Sequence, residues 1–81
     1  MEIKAVGIMG AGATGAGVAE VFLKSGFQVR LYDGFKDGLN VALAKIGWSL
    51  HHEGKDPLLA NIEGIQDLSK FEGADIVIEA S

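Results

Sequence analysis

Four residues in the first half of the chain have the types and spacing to hold an anionic ligand. Gly10, Gly12 and Gly15 form a G-x-G-x-x-G run, and Asp33 stands 18 positions after Gly15 and 23 after Gly10. Each has its own physical use. Gly10 lets the chain turn sharply out of a strand, Gly12 lets backbone approach a pyrophosphate, and Gly15 lets a helix pack closely on the strand before it. A helix that starts here offers unpaired N–H groups and a partial positive charge, which attract phosphate. The Asp33 carboxylate can accept hydrogen bonds from ribose hydroxyls and would repel a 2′-phosphate, which favours NAD over NADP. Lys36 lies close enough in sequence to soften that repulsion. A glycine run by itself marks a turn. It becomes a dinucleotide fingerprint when a strand precedes it, a helix follows it and an acidic residue stands about 20 positions on.

All three conditions are met. Ile3 to Met9 reads as a buried strand, with Ala5, Val6, Ile8 and Met9 in a near-continuous apolar run. A helix starts within Gly10–Gly15 and runs to about Ser25. Val18, Phe22 and Ser25 share helical spacing, as do Gly15, Ala19 and Leu23, and Lys24 followed by Gly26 is a good stop. Phe27 to Tyr32 alternates as a second strand that ends at the turn Asp33-Gly34. Leu39, Leu43, Ile46 and Leu50 place a second helix over about 37–52, with Asp37 as its N-cap and with Gly54 and Pro57 in the connection beyond it. Asn61 to Ile65 is a short strand candidate interrupted by Gly64. Asp67 can cap one helical turn carrying Leu68 and Phe71, stopped by Gly73, and Ile76-Val77-Ile78 reads as a buried strand. Strands alternating with helices predict an α/β fold, the N-terminal half of a Rossmann-type parallel sheet with strand order 3-2-1-4 and flanking helices.

Composition narrows the function classes. The chain has 81 residues, 48% hydrophobic and 22% charged, which suits a globular protein of marginal size. Its net charge of −4 and scattered lysines and arginine argue against a nucleic-acid backbone as partner. The absence of cysteine removes disulfides and thiolate metal sites and is compatible with the cytoplasm. The uncharged run from Ala5 to Ala19 is too short and too glycine-broken for a membrane span, and a signal peptide would want a basic start and a compact apolar centre, whereas Glu2 and Lys4 nearly cancel. A boundary at Ser81, just after a buried strand, is unusual for a domain and suggests a truncated piece. Unpaired sheet edges and exposed apolar surface then lead us to expect self-association.

Other residues invite chemistry less directly. His51-His52-Glu53 suggests a metal, but adjacent helical residues point about 100° apart, so the two rings do not pair as an i, i+4 pair does. Histidine near a helix C-terminus has a plain electrostatic use there. No metal site is expected. Thr14 either bonds a phosphate or caps the first helix, Glu79 either supports the site or has a structural role, and Trp48 belongs to a core or an interface.

Three segments resemble the L-3-hydroxyacyl-CoA dehydrogenases: Ile8 to Ala19, Gly26 to Asp33, and Ala74 to Ala80 with its Ile-Glu-Ala ending. The resemblance covers nearly the whole chain and aligns with that family's NAD-binding domain. It implies that Gly10, Ala11, Gly12, Ala13, Thr14 and Gly15 line the pyrophosphate of NAD, that Asp33 holds the adenine ribose, and that backbone near Ala80 passes the cofactor. It also implies hydride transfer between NAD and a 3-hydroxyacyl-CoA, in fatty acid metabolism. Two departures stand out: Thr14 where the family usually has methionine, and Gly34-Phe35 where it has an apolar residue and a serine-like cap. The family's catalytic histidine, its carboxylate partner and its substrate-binding helices lie downstream of these positions. No catalytic residue is therefore expected within residues 1–81, and the chain alone is expected to be inactive. Two other classes share the glycine loop: another hydroxyacid or sugar-acid dehydrogenase, and a nucleotide-binding fragment without chemistry.

Overall fold

The computed structural model describes residues 2–80; Ser81, where the sequence suggests a truncation, lies outside the described residues. β1 (Ala5–Met9) is the second strand in from one edge of the sheet, and its side chains are covered from both faces along Val6, Gly7 and Ile8. The glycine run then turns into α1 (Ala13–Lys24), followed by β2 (Gln28–Tyr32) and α2 (Lys36–His52). A 3-10 turn (Asp56–Asn61) leads to β3 (Ile62–Ile65), and a second (Leu68–Phe71) leads to β4 (Ile76–Glu79). All pairings are parallel and the order is β3-β2-β1-β4, the arrangement the alternation predicts. The register sets Met9 beside Tyr32 and Glu79, so β1, β2 and β4 end level at one edge.

One face of this sheet carries the core. Val6, Ile8, Val29 and Leu31 meet Ala19 and Leu23 of α1 and Leu39, Ala42, Ile46 and Leu50 of α2. Leu31, Leu23 and Leu50 are fully enclosed, and burial of each contributes about 2 kcal/mol. Gly64 keeps its place in β3 because a Cβ there would lie 2.7 Å from Leu43 Cδ1, so its missing side chain lets α2 settle on the strand. The opposite face is covered in part by Phe71, which sits where a side chain on Gly7 would be, and by Arg30, whose Nη1 donates to the carbonyls of Lys70 and Glu72.

Several expectations shift. β1 begins at Ala5 and leaves Ile3 exposed; β2 begins at Gln28, while Phe27 packs edge-on against Phe22. Asp37 is not the N-cap of α2. That position is Phe35, whose carbonyl accepts the first helical bond from Leu39 N–H, so Asp37 falls inside the first turn, where its charge suits the helix dipole. Asp67 does cap its turn, accepting from Ser69 N–H at 2.9 Å. β4 forms where the apolar run predicts, but it is not buried. Ile76 and Val77 are 42% and 46% exposed, because β4 is an edge strand that pairs only with β1. Trp48 is not core either: it stands 66% exposed on α2, with its ring 3.9 Å from that of His52.

Candidate functional site at the strand ends

Gly10 leaves β1 with φ 112°, a left-handed conformation that side chains resist, and its N–H donates to Tyr32 O at 2.9 Å. That bond ties the start of the loop to the end of β2. Gly15 is required by packing, since a Cβ there would fall 1.7 Å from Gly10 O. Gly12 is different. Its backbone is ordinary, at φ −68° and ψ −172°, and a Cβ would meet nothing within 4 Å. Among the described residues no atom explains why residue 12 lacks a side chain.

Asp33 is the other half of the arrangement. Its Oδ2 accepts from Ala11 N–H at 2.9 Å and its Oδ1 accepts from Phe35 N–H at 2.8 Å. One carboxylate thus holds the glycine loop and the entry to α2 together. These two bonds, Ala11's first and then Phe35's, hold its pKa below the ordinary carboxylate range. Each oxygen keeps a further lone pair for another donor. The sequence sets Asp33 at the end of the second strand, and its turn signal Asp33-Gly34 hints at the Phe35 bond, because aspartate commonly accepts from the amide two residues on; nothing local signals the tie to Ala11, 22 residues back.

The first backbone bond of α1 runs from Ala16 N–H to Gly12 O, so the amides of Ala13, Thr14 and Gly15 stand ahead of the helical ladder. Gly12 is the capping position and no side chain caps it, so Thr14 is not a cap. Ala80 joins the same edge: its N–H donates to Met9 O at 2.9 Å, and its Cβ is 3.6 Å from the position a Gly15 Cβ would take. Beside the loop, a cavity of about 320 Å³ opens between the first turns of α1 and the first half of α2. Donor amides at a helix N-terminus, an open approach at Gly12 and an acceptor carboxylate next to it suit a ligand that carries both phosphates and hydroxyls.

The histidines lie elsewhere. α2 is 17 residues long, so its C-terminal end is about 25 Å from its start. His51 Nδ1 is paired with Asp56 Oδ2 at 2.8 Å and His52 Nδ1 with Trp48 O at 2.9 Å. Among the described residues no three His, Asp or Glu side chains gather as a metal site, and no helix is long and apolar enough to cross a membrane.

The chain is similar to several known proteins. The profile of the family described as 3-hydroxyacyl-CoA dehydrogenase, NAD binding domain, matches residues 5–81. A probable 3-hydroxybutyryl-CoA dehydrogenase of Bacillus subtilis is 33% identical over 99% of this chain and 31% of its own length. One of Deinococcus radiodurans is 35% identical over 91% of this chain and 30% of its own. The crystal structure of 3-hydroxybutyryl-CoA dehydrogenase from Escherichia coli K12 superposes with a TM-score of 0.91 at 32% identity, covering 100% of this chain and 19% of that one. The chain therefore spans less than a third of the length of these relatives. With the profile matched along nearly all of it and the sheet order, glycine turn and Asp33 in place, the chain belongs to the 3-hydroxyacyl-CoA dehydrogenase family, in its NAD-binding domain.

Proposed function

We propose that residues 1–81 form the NAD-binding part of a 3-hydroxyacyl-CoA dehydrogenase whose substrate-binding and catalytic residues belong to sequence outside this chain. The glycine loop and the first amides of α1, at Gly10, Ala11, Gly12, Ala13, Thr14 and Gly15, take the pyrophosphate. Asp33 takes the adenine ribose, and the backbone at Ala80 borders the cofactor. Bound there, NAD supplies hydride exchange with the 3-hydroxyl carbon of an acyl-CoA. This chain's own residues bind and orient it. The observation that carries the reading is the pairing of Asp33 with Ala11 N–H beside a Gly12 that no protein atom requires.

The same reading gives the whole protein an acyl-CoA substrate, a place in fatty acid metabolism and a cytoplasmic setting, to which the lack of cysteine is suited. Self-association is part of it as well, supported by the exposed Ile76 and Val77 on the β4 edge.

Calorimetric titration of the chain with NAD, then NADP, repeated on Asp33→Ala, tests the site. NAD should bind, and the variant should bind it about tenfold to a hundredfold more weakly, as expected for lost hydrogen bonds to a charged group. Equal affinity in the variant, or a preference for NADP in the wild type, would remove the ribose role of Asp33.

A further inference from the structure

The cavity beside the glycine loop holds two charges that the cofactor reading does not use. Ala11, Gly12 and Ala16 form one side; Asp37, Gly38 and Lys45 stand on the other. The rest of the wall is alanine and valine, so Asp37 and Lys45 set its electrostatics. Among the described residues neither is in an ion pair or side-chain hydrogen bond. They are eight residues apart on α2, about 12 Å along its axis, so neither neutralises the other by contact. Lys36, the lysine nearest Asp33 in sequence, is not part of this wall.

The cavity adjoins the ribose position of the proposed function, and the inference rests on that reading. Ala11 is both a wall residue and the donor to Asp33 Oδ2. Gly38, like Gly12 and like Gly17 elsewhere on α1, would meet nothing within 4 Å if it carried a Cβ, so the wall is open at this point. Two glycines that no packing requires thus face one space next to Asp33.

From this placement we infer that Asp37 is a second specificity-determining residue, which acts with Asp33 to reject a dinucleotide bearing a 2′-phosphate, and that Lys45 is a phosphate partner whose attraction Asp37 offsets. A phosphate monoester carries a charge of about −1.5 to −2 at neutral pH. Because Ala11 both lines this cavity and bonds Asp33, a 2′-phosphate on a ribose held at Asp33 and turned towards the cavity would face the Asp37 carboxylate. With Asp37 neutral, the remaining wall charge is the Lys45 ammonium, and the cavity changes from repelling a 2′-phosphate to accepting it.

The test is the ratio of NADP to NAD dissociation constants, measured by calorimetry at one ionic strength for the wild type, Asp37→Asn and Asp37→Asn/Lys45→Gln. The ratio should fall about fivefold in Asp37→Asn, the effect of one close charge pair in water. It should return towards the wild-type value when Lys45→Gln is added. Asp37→Ser serves as a second charge-removing variant, with circular dichroism to show that α2 is intact in each. An unchanged ratio in both single variants overturns the role of Asp37, and a fall that Lys45→Gln does not reverse overturns that of Lys45. Absence of NAD binding by the folded wild-type chain overturns the dinucleotide reading itself, and this inference with it.

Discussion

Two aspartates hold pairs of backbone amides at opposite ends of the sheet, and they do so in different surroundings. At the end where β1 and β4 begin, one oxygen of Asp75 accepts from Lys4 N–H at 2.8 Å and Ala5 N–H at 2.9 Å, while Asp75 N–H donates to Ala5 O. The strands themselves supply both sides of that clasp, and its function is to start the β1–β4 pairing. At the other end Asp33 bonds loop and helix amides one oxygen at a time, beside a cavity, an open glycine and helix amides that precede the ladder. The same side chain is a fastening in one place and a presented acceptor in the other. Chemistry alone does not separate them; the unused donors and space around Asp33 do.

The two loop glycines carry the same contrast at closer range and give the strongest means of breaking it. Gly15→Ala places a methyl 1.7 Å from Gly10 O, so the turn or α1 has to move. We expect a loss of about 1–3 kcal/mol in urea unfolding, the range for overpacking, and no measurable NAD binding. Gly12→Ala meets no protein atom. Its stability should stay within about 1 kcal/mol of wild type, since a poorer cap and a stiffer unfolded chain oppose each other. Its NAD affinity should nevertheless fall at least about tenfold if ligand backbone contact is what keeps residue 12 bare. A Gly12→Ala chain that binds NAD as the wild type does would reduce the whole run to a tight turn.

Much of this was legible in the sequence because backbone and burial demands leave period and punctuation. The apolar runs and the stripe Leu39–Leu43–Ile46–Leu50 fix the strands and α2, and the glycine spacing with Asp33 fixes the candidate loop. What was not legible depends on partners far apart in the chain. Val77 reads as buried from its neighbours, yet it is exposed because the sheet order leaves β4 at an edge. Asp37 reads as a cap from its type, but Asp33 takes the Phe35 amide and the helix begins one residue earlier than the pattern suggests. The cavity between α1 and α2, and hence the company of Asp37 and Lys45, arises only when two helices are laid on one sheet face. Asp75 gives no local signal at all, since its partners are 70 and 71 residues away.

The smallest effect separates the two aspartates by titration. Asp33 is held below the ordinary carboxylate range by the Ala11 and then the Phe35 amide, and Asp75 by the Ala5 and then the Lys4 amide. A folded-state pKa below the unfolded value, about 3.9, means that the unfolded chain binds more protons in between. The stability each contributes is therefore present in full above that unfolded value and is lost as pH falls through the lower folded one. Glu53, Asp56 and Asp67 are shifted in the same direction by their own partners, so a melting curve against pH sums all five. Site-resolved carboxyl NMR separates them. Without ligand, both Asp33 and Asp75 should titrate below the unfolded value. With NAD present, the Asp33 transition should move lower still, because ribose hydroxyls add donors to its charged form, while Asp75 should stay where it was. A shift shared by both would mean that NAD tightens the sheet as a whole. No shift in either, with NAD bound, would take the ribose away from Asp33 and leave that carboxylate as much a fastening as Asp75.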